Sequence, residues 1–150
     1  WSSTDGFSWT QETTVGTIFS ARAGHQIVLF NNKLYLIGGY GATGFKNDVW
    51  SSADGRTWNE ETTTGSKFVP LYSHQAIAYK NKIYVIGGVV GFLTSDEIWS
   101  STNGKDWTKQ TATMFGTRGG HQATLFNNKI CVVGGYDATS VVKNDVWFSN

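Results

Sequence analysis

The 150-residue chain has a single cysteine, Cys131, so no disulfide can form within it, and cysteine usage gives no information on redox compartment. A single proline leaves chain reversal to glycine and asparagine, and glycine is abundant at 18 residues. Charge of neither sign is in excess, with 12 Lys+Arg against 11 Asp+Glu. That balance excludes a basic stripe for nucleic acid and an acidic tail. No apolar run approaches the roughly 20 residues of a membrane-spanning helix, so no membrane partner is expected. No window carries the 3.6-residue period at the length of a secure helix. The chain starts without Met and without a signal peptide, which suits a processed chain or an excised fragment. The compartment stays open, and a soluble protein, secreted or periplasmic, is the expectation.

What is present is aromatic residues, at 15% of the chain with seven tryptophans, and short Val/Ile/Leu runs between glycine turns. These runs repeat. The stretch from Phe19 to Trp58 contains landmarks that return twice more. His25, His74 and His121 are spaced by 49 and 47 residues, and the pairs Gly38-Gly39, Gly87-Gly88 and Gly134-Gly135 keep the same spacing. Trp9, Trp58 and Trp107 stand 49 apart; Trp1, Trp50, Trp99 and Trp147 step by 49, 49 and 48. The third repeat loses two residues between Trp107 and His121 and gains one between Gly135 and Trp147, so length variation falls in loops.

Each unit reads as four short strands, a to d. Strand a is HQIVLF, HQAIAY or HQATLF. A turn follows at Asn31-Asn32, Lys80-Asn81 or Asn127-Asn128. Strand b is LYLIGG, IYVIGG or ICVVGG, ended by its glycine pair. A variable loop at 40–47, 89–96 or 136–144 leads to strand c, DVW or EIW. The phrases WSSTDGFSW, WSSADGRTW and WSSTNGKDW are hairpin turns to strand d, with Asp5, Asp54 and Asn103 capping backbone N–H groups. A four-stranded unit of this size cannot cover both faces of its own sheet, whereas stacking on neighbours can. Trp9, Trp50, Trp58, Trp99, Trp107 and Trp147 are expected to fill the space between sheets.

The pattern R-x-G-H-Q-x-x-x-F-N-N-K-L-Y-L-I-G-G, followed by N-D-V-W and a further Trp, resembles the kelch repeat. More narrowly, it looks like the bacterial branch whose outer hairpin carries an S-x-D-G-x-x-W turn similar to a shortened Asp-box. The resemblance covers essentially the whole chain. It implies an all-β fold, a β-propeller of four-stranded blades. On the family pattern His25, His74, His121, the three Gly-Gly pairs, Arg22, Arg118, Tyr35, Tyr84, Trp58 and Trp107 are structural blade residues. Repeat two departs from the pattern with Leu71 in the arginine position, and Cys131 stands where the other repeats have tyrosine.

Propellers use four to eight blades, and three units cannot close a ring. The expected organisation is a half-propeller over 1–150. Residues 1–14 give an outer strand that completes a partner's blade, 19–62 blade one, 68–111 blade two, and 115–150 strands a to c of blade three. Two chains would then form a six-bladed homodimeric ring by strand exchange. An excised piece of a longer propeller, or an engineered half-ring, is compatible with this reading.

For function, the three histidines are read as structural hydrogen-bond donors to neighbouring turns, and no metal or cofactor is expected. Cys131 is read as a buried small hydrophobe. The favoured function is a non-catalytic binding or structural scaffold that recognises protein, peptide or glycan through the b–c and d–a loops. The candidate contact residues are Arg22, Tyr40, Phe45, Lys46, Tyr72, Phe92, Arg118, Tyr136, Asp137 and Lys143, with Leu93, Val141 and Val142 beside them. The alternative is a fragment of a carbohydrate-active or oxidoreductase propeller enzyme. Near-identical repeats offer no unique acid, base or nucleophile to support it.

Overall fold

In the computed structural model, which describes residues 1–111 and 115–150, the described chain contains strands and turns and no helix. The tail of the shortened loop at 108–115 thus lies partly outside the described residues. Three antiparallel sheets follow one another along the chain. Sheet I holds β1 (Arg22–Ala23), β2 (Gln26–Phe30), β3 (Lys33–Gly41), β4 (Gly44–Ser52) and β5 (Asn59–Glu60). Sheet II holds β6 (Gln75–Tyr79), β7 (Lys82–Val90), β8 (Leu93–Ser101) and β9 (Thr108–Lys109), in that order. Sheet III has three strands, β10 (Gln122–Phe126), β11 (Lys129–Val133) and β12 (Val146–Phe148).

The first turn of each unit is set by side chains that tolerate left-handed backbone. Asn31 and Asn32 have φ of 47° and 60°, Lys80 and Asn81 44° and 59°, and Asn127 and Asn128 48° and 57°. Two consecutive positive φ values are what a two-residue hairpin needs to match strand twist. The glycine pair does not end strand b, contrary to expectation. β3 runs through Gly38-Gly39 to Gly41 and β7 runs through Gly87-Gly88 to Val90, each with a register shift at the pair. The bulge lets both long strands continue into a second hairpin, so most of the segments 40–47 and 89–96 is paired strand rather than loop. Only in sheet III does the strand stop, at Val133, leaving 136–144 irregular apart from the bridges of Tyr136 to Gly119 and to Val142.

The sheets pack face to face through alternate residues. Val28, Phe30, Tyr35, Ile37 and Val49 of sheet I meet Ile83, Val85 and Trp107 of sheet II in the largest core. A second core joins Ile86, Ile77, Tyr79 and Tyr84 of sheet II to Ile130, Val132 and Ala123 of sheet III, with Phe115. The outward face of sheet I is covered where Phe19 and Trp58 pack on Leu36 and Trp50 and is open along β2, and the outward face of sheet III is open along its edge strands. Ile27 and Leu29 are exposed on sheet I, and Phe126, Val133, Val146 and Phe148 on sheet III.

The outer hairpins form as expected. Asp54 Oδ1 accepts from the N–H groups of Arg56 and Thr57 at 2.8 and 2.7 Å, and Ser52 Oγ accepts from Gly55 N at 2.8 Å. Asp5 and Asn103 make the same pairs of bonds in their own turns. The indoles of Trp58 and Trp107 each donate to the glycine carbonyl of their own turn at 3.2 Å. Residues 1–10 are one such hairpin, closed by Ser2 and Thr10 in the register of Ser51 with Asn59 and Ser100 with Thr108. This hairpin lies beside the sheet I hairpin: Glu12 pairs with Arg56 there, as Glu61 pairs with Lys105 one repeat later.

Candidate interaction face

The conserved spacing of His and Gly-Gly has a steric cause. A Cβ on Gly87 would lie 2.8 Å from His121 Cε1, and one on Gly38 would lie 3.2 Å from His74 Cε1. The second glycine of each pair faces its own histidine: a Cβ on Gly39, Gly88 or Gly135 would lie 2.9, 2.7 or 2.9 Å from the Cβ of His25, His74 or His121. The His74 and His121 imidazoles are therefore clamped between the glycine pair of their own sheet and that of the preceding one, while His25 meets only Gly39 of its own sheet. Gly134, with no following histidine, meets only the Lys143 carbonyl at 3.3 Å. Backbone bonds cross the junction at the same level, from Gly39 N to Leu71 O at 2.9 Å and from Gly88 N to Arg118 O at 2.8 Å.

The expected hydrogen bond from imidazole to turn is not what holds these rings. His74 and His121 are fully buried; neither ring nitrogen of His74 has a hydrogen-bond partner in the protein, and only a backbone group of Ile86 comes near the His121 ring. Burial pushes the His74 imidazole down to about 3 and His121 to about 4, with the charges of neighbouring His121 and His25 adding to the first and Arg118 to the second. His25, half-buried, shifts the same way. These are neutral packing groups held between glycines. Among the described residues no group of three or more His, Cys, Asp or Glu is arranged to hold a metal ion. Cys131 is a buried free thiol.

Arg22 and Arg118, expected near the rim as contact residues, have their guanidinium groups closed off inside the fold. Their side chains are 1% and 2% exposed, and each forms a bidentate pair, Arg22 with Asp48 and Arg118 with Asp145. Each also donates to the first glycine carbonyl of its sheet, Gly38 or Gly134, at 3.0 and 2.8 Å. The same aspartates accept from the indoles of Trp50 and Trp147, two residues on. Sheet II shows what replaces the arginine. Leu71 is buried, the acid lengthens to Glu97, and Glu97 accepts from Trp99 and from Lys109. These arginines brace the sheets and cannot reach a ligand without breaking a buried ion pair.

The remaining candidates separate into two groups. Tyr40, Phe45 and Tyr72 form one aromatic cluster at the β3–β4 hairpin, with Phe45 stacked on Tyr72 at 5.3 Å and Tyr40 5.2 Å from Phe45. Tyr40 is exposed, and the other two are half-buried. Phe92 is 99% exposed at the β7–β8 turn, beside exposed Leu93. In sheet III the loop is occupied with itself. Asp137 accepts from Thr139 N, Val141 N and Lys143 Nζ, and those bonds hold its carboxyl far below the usual range. The Tyr136 ring packs on Gly119-Gly120, where a Cβ on Gly120 would lie 2.8 Å from it. Lys46 donates to Thr43 within its own hairpin. Val141 and Val142 stay exposed.

Sequence reasoning did not single out the cavity between sheets II and III. It measures about 570 Å3 and is walled chiefly by Tyr84, Ile86, Ile98, Phe115, Ile130 and Val132.

These features define a tandem-repeat all-β protein whose sheets stack through paired glycines, buried histidines and outer tryptophans. The family model of the KLHDC2/KLHL20/DRC7 Kelch-repeats domain matches residues 1–150, and the chain belongs to the kelch-repeat family. No curated protein matches the chain. Kelch-repeat domains in general serve as protein-binding scaffolds.

Proposed function

We propose that this chain is a protein- or peptide-binding scaffold, built as three blades of a propeller that closes as a six-bladed ring of two copies. Blade one spans 19–62, blade two 68–111, and 115–150 supplies three strands of blade three. Residues 1–14 give the outer strand of a neighbouring blade. Two observations support the assembly. The 1–10 hairpin lies beside sheet I as the sheet I hairpin lies beside sheet II. Open apolar faces at both ends of the stack favour closure, because exposed sheet edges and large apolar patches invite association.

The observation that carries the binding reading is the hairpin-tip aromatic surface: Tyr40 on its Phe45–Tyr72 base, with Phe92 and Leu93 one repeat on. Exposed aromatic residues on a rigid hairpin lose little conformational entropy on binding and bury large area. A peptide library and a glycan array presented to the full chain test this. Capture of peptides, with binding weakened roughly tenfold by Tyr40→Ala or Phe92→Ala, is the expected result. Binding to glycans alone, or peptide binding indifferent to both substitutions, refutes it. Light scattering of the same sample reads the assembly.

A further inference from the structure

We infer that the first turns of the three sheets form a basic rim, carried by Lys33, Lys82 and Lys129, that takes an acidic peptide segment of a partner protein. The rim lies at the opposite end of the sheets from Tyr40 and Phe92 and is a second surface, independent of the first.

The cations of the chain sort into two groups. Arg22, Arg56, Lys105, Lys109, Arg118 and Lys143 each pair with a carboxylate. Of the others, Lys33, Lys80, Lys82 and Lys129 all stand at first turns, and only Lys46 and Lys67 stand elsewhere. Among the described residues none of the four turn lysines forms an ion pair. The segments 30–34, 79–83 and 126–130 contain no Asp or Glu. No run of the sequence is basic; the topology collects the charges. A chain with a net charge of +1 thus carries an uncompensated positive field at one place.

Lys33, Lys82 and Lys129 hold one position in the repeat. Each opens strand b opposite the last aromatic residue of strand a, Phe30, Tyr79 or Phe126. The three turns are neighbours in space. Phe30 shares a core with Ala78 and Ile83, which flank the second turn, and Tyr79 shares a core with Ile130, which flanks the third. The Tyr79 hydroxyl donates to the Asn128 carbonyl at 2.5 Å and ties the second turn to the third. Lys80 lies over the Tyr79 ring, 4.9 Å from its centre, which holds a further charge at that tie. Lys33, Lys80 and Lys129 are exposed and Lys82 is half-buried. β3 carries the chain roughly 25 Å from Lys33 to Gly41, so the rim and the Tyr40 surface are separate.

The surroundings of the rim select its ligand. The outer hairpins share this end of the sheets: Ser52 pairs with Leu34, and a Cβ on Gly55 would lie 3.9 Å from Leu34 Cδ1. Their carboxylates are engaged locally. Asp54 accepts from the N–H groups of Arg56 and Thr57, and Asp106 accepts from the Asn103 amide at 2.9 Å. They do not neutralise the lysines, yet they border the rim with negative charge. A long phosphate backbone crossing the rim would run onto Asp54 and Asp106, whereas a short peptide over the inner turns would not. Packed sheets stand roughly 10 Å apart, and an extended peptide rises about 3.3 Å per residue. Carboxylates at every third residue therefore recur at roughly the spacing of successive turns. Exposed Asn31, Asn32, Asn81, Asn127 and Asn128 add amide donors for the carbonyls of such a segment.

The test uses the full chain and the fluorescence anisotropy of a labelled Gly/Ser peptide of about twelve residues with glutamate at every third position. A counterpart with lysine at those positions and a single-stranded oligonucleotide of similar charge run beside it. The expected result is binding of the glutamate peptide in preference to both, weakened several-fold as salt rises from about 0.05 to 0.3 M. Combined Lys33→Glu, Lys82→Glu and Lys129→Glu substitutions should weaken it roughly tenfold or more, and Lys67→Glu by less than about twofold. Melting curves accompany every variant, and Lys→Gln at the same three positions is read where charge reversal lowers the melting point. No binding of the glutamate peptide, binding that survives the triple substitution, or an equal loss with Lys67→Glu overturns the rim. Tighter binding of the oligonucleotide overturns the peptide as its occupant. Capture through Tyr40 and Phe92 is read in other variants, so the two surfaces fail separately.

Discussion

The ring of Tyr35 lies over Gly104 so closely that a single methyl group at that glycine would fall 2.3 Å from Cε1 and 2.8 Å from Cδ1. Outer hairpin and neighbouring sheet are therefore matched at one backbone atom. Three turns share this conformation, with Gly6, Gly55 and Gly104 at φ of +78°, +74° and +77°, but only Gly104 is covered at close range. Alanine at each carries the same backbone strain. Gly104→Ala is expected to cost roughly 1–3 kcal/mol more than Gly55→Ala, the range for overpacking a filled core. Thermal melts of the two variants check this, and equal melting points would refute it.

The glycine pairs make a second comparison. Gly87→Ala drives a methyl into His121 and the Arg118 carbonyl at 2.8 and 2.9 Å, whereas Gly134→Ala meets a single carbonyl at 3.3 Å, at a similar positive φ. The first substitution should prevent stable stacking of sheets II and III. In a chain that stays single the second should cost roughly the 1–3 kcal/mol of the left-handed strain alone, whereas in the two-copy ring it should approach the first, because sheet I of the second copy would bring its histidine against Gly134. Urea midpoints of both variants, with retained β signal in Gly134→Ala, are the measurement.

Acidification should destabilise the fold before its carboxylates titrate. His74 and His121 are held at about 3 and about 4, below the ordinary value near 6.5 that they regain on unfolding. Between those values the unfolded chain binds protons that the folded chain does not. Stability therefore rises with pH, is fully present above about 6.5, and falls as pH drops from about 6.5 towards 4. The depressed carboxylates of Asp5, Asp54 and Asp145 act lower still, as pH falls through the ordinary carboxylate range. Urea midpoints from pH 7 to 4.5 should slope downward, and His74→Gln should flatten the slope. A flat profile in the unsubstituted chain would contradict the buried neutral imidazoles.

The buried arginine pair predicts an asymmetric result. Arg22→Leu removes the partner of a part-buried Asp48 and should cost roughly 3–5 kcal/mol. Sheet II runs the same position with Leu71, Glu97 and Lys109. Combining Arg22→Leu with Asp48→Glu and Glu60→Lys reproduces that arrangement in sheet I. It should recover at least half of the loss, read from denaturant midpoints. No recovery would mean that the two solutions depend on their own surroundings.

The repeat, its register and the core strands of each unit were legible in the sequence because each depends on local features that recur: alternation, asparagine turns with left-handed φ, and Asp or Asn capping a tight hairpin. The role of glycine was legible only as close approach. That the approaching group is the histidine of the next sheet, and that strand b runs on through the pair, follows from inter-sheet packing, which spacing alone does not encode. Arg22 and Arg118 looked like rim residues because long charged side chains usually are. Tertiary structure turned them inward, where Asp48 and Asp145 neutralise them. The exposure of Tyr40 and Phe92 against the self-engaged Tyr136–Lys143 loop, and the unfilled space beside Tyr84, likewise depend on which surfaces meet in three dimensions. The sequence by itself determined the units, since each hairpin is stabilised within about 20 residues; only the stacked structure decided which faces are spent and which stay open, because that balance is set between units.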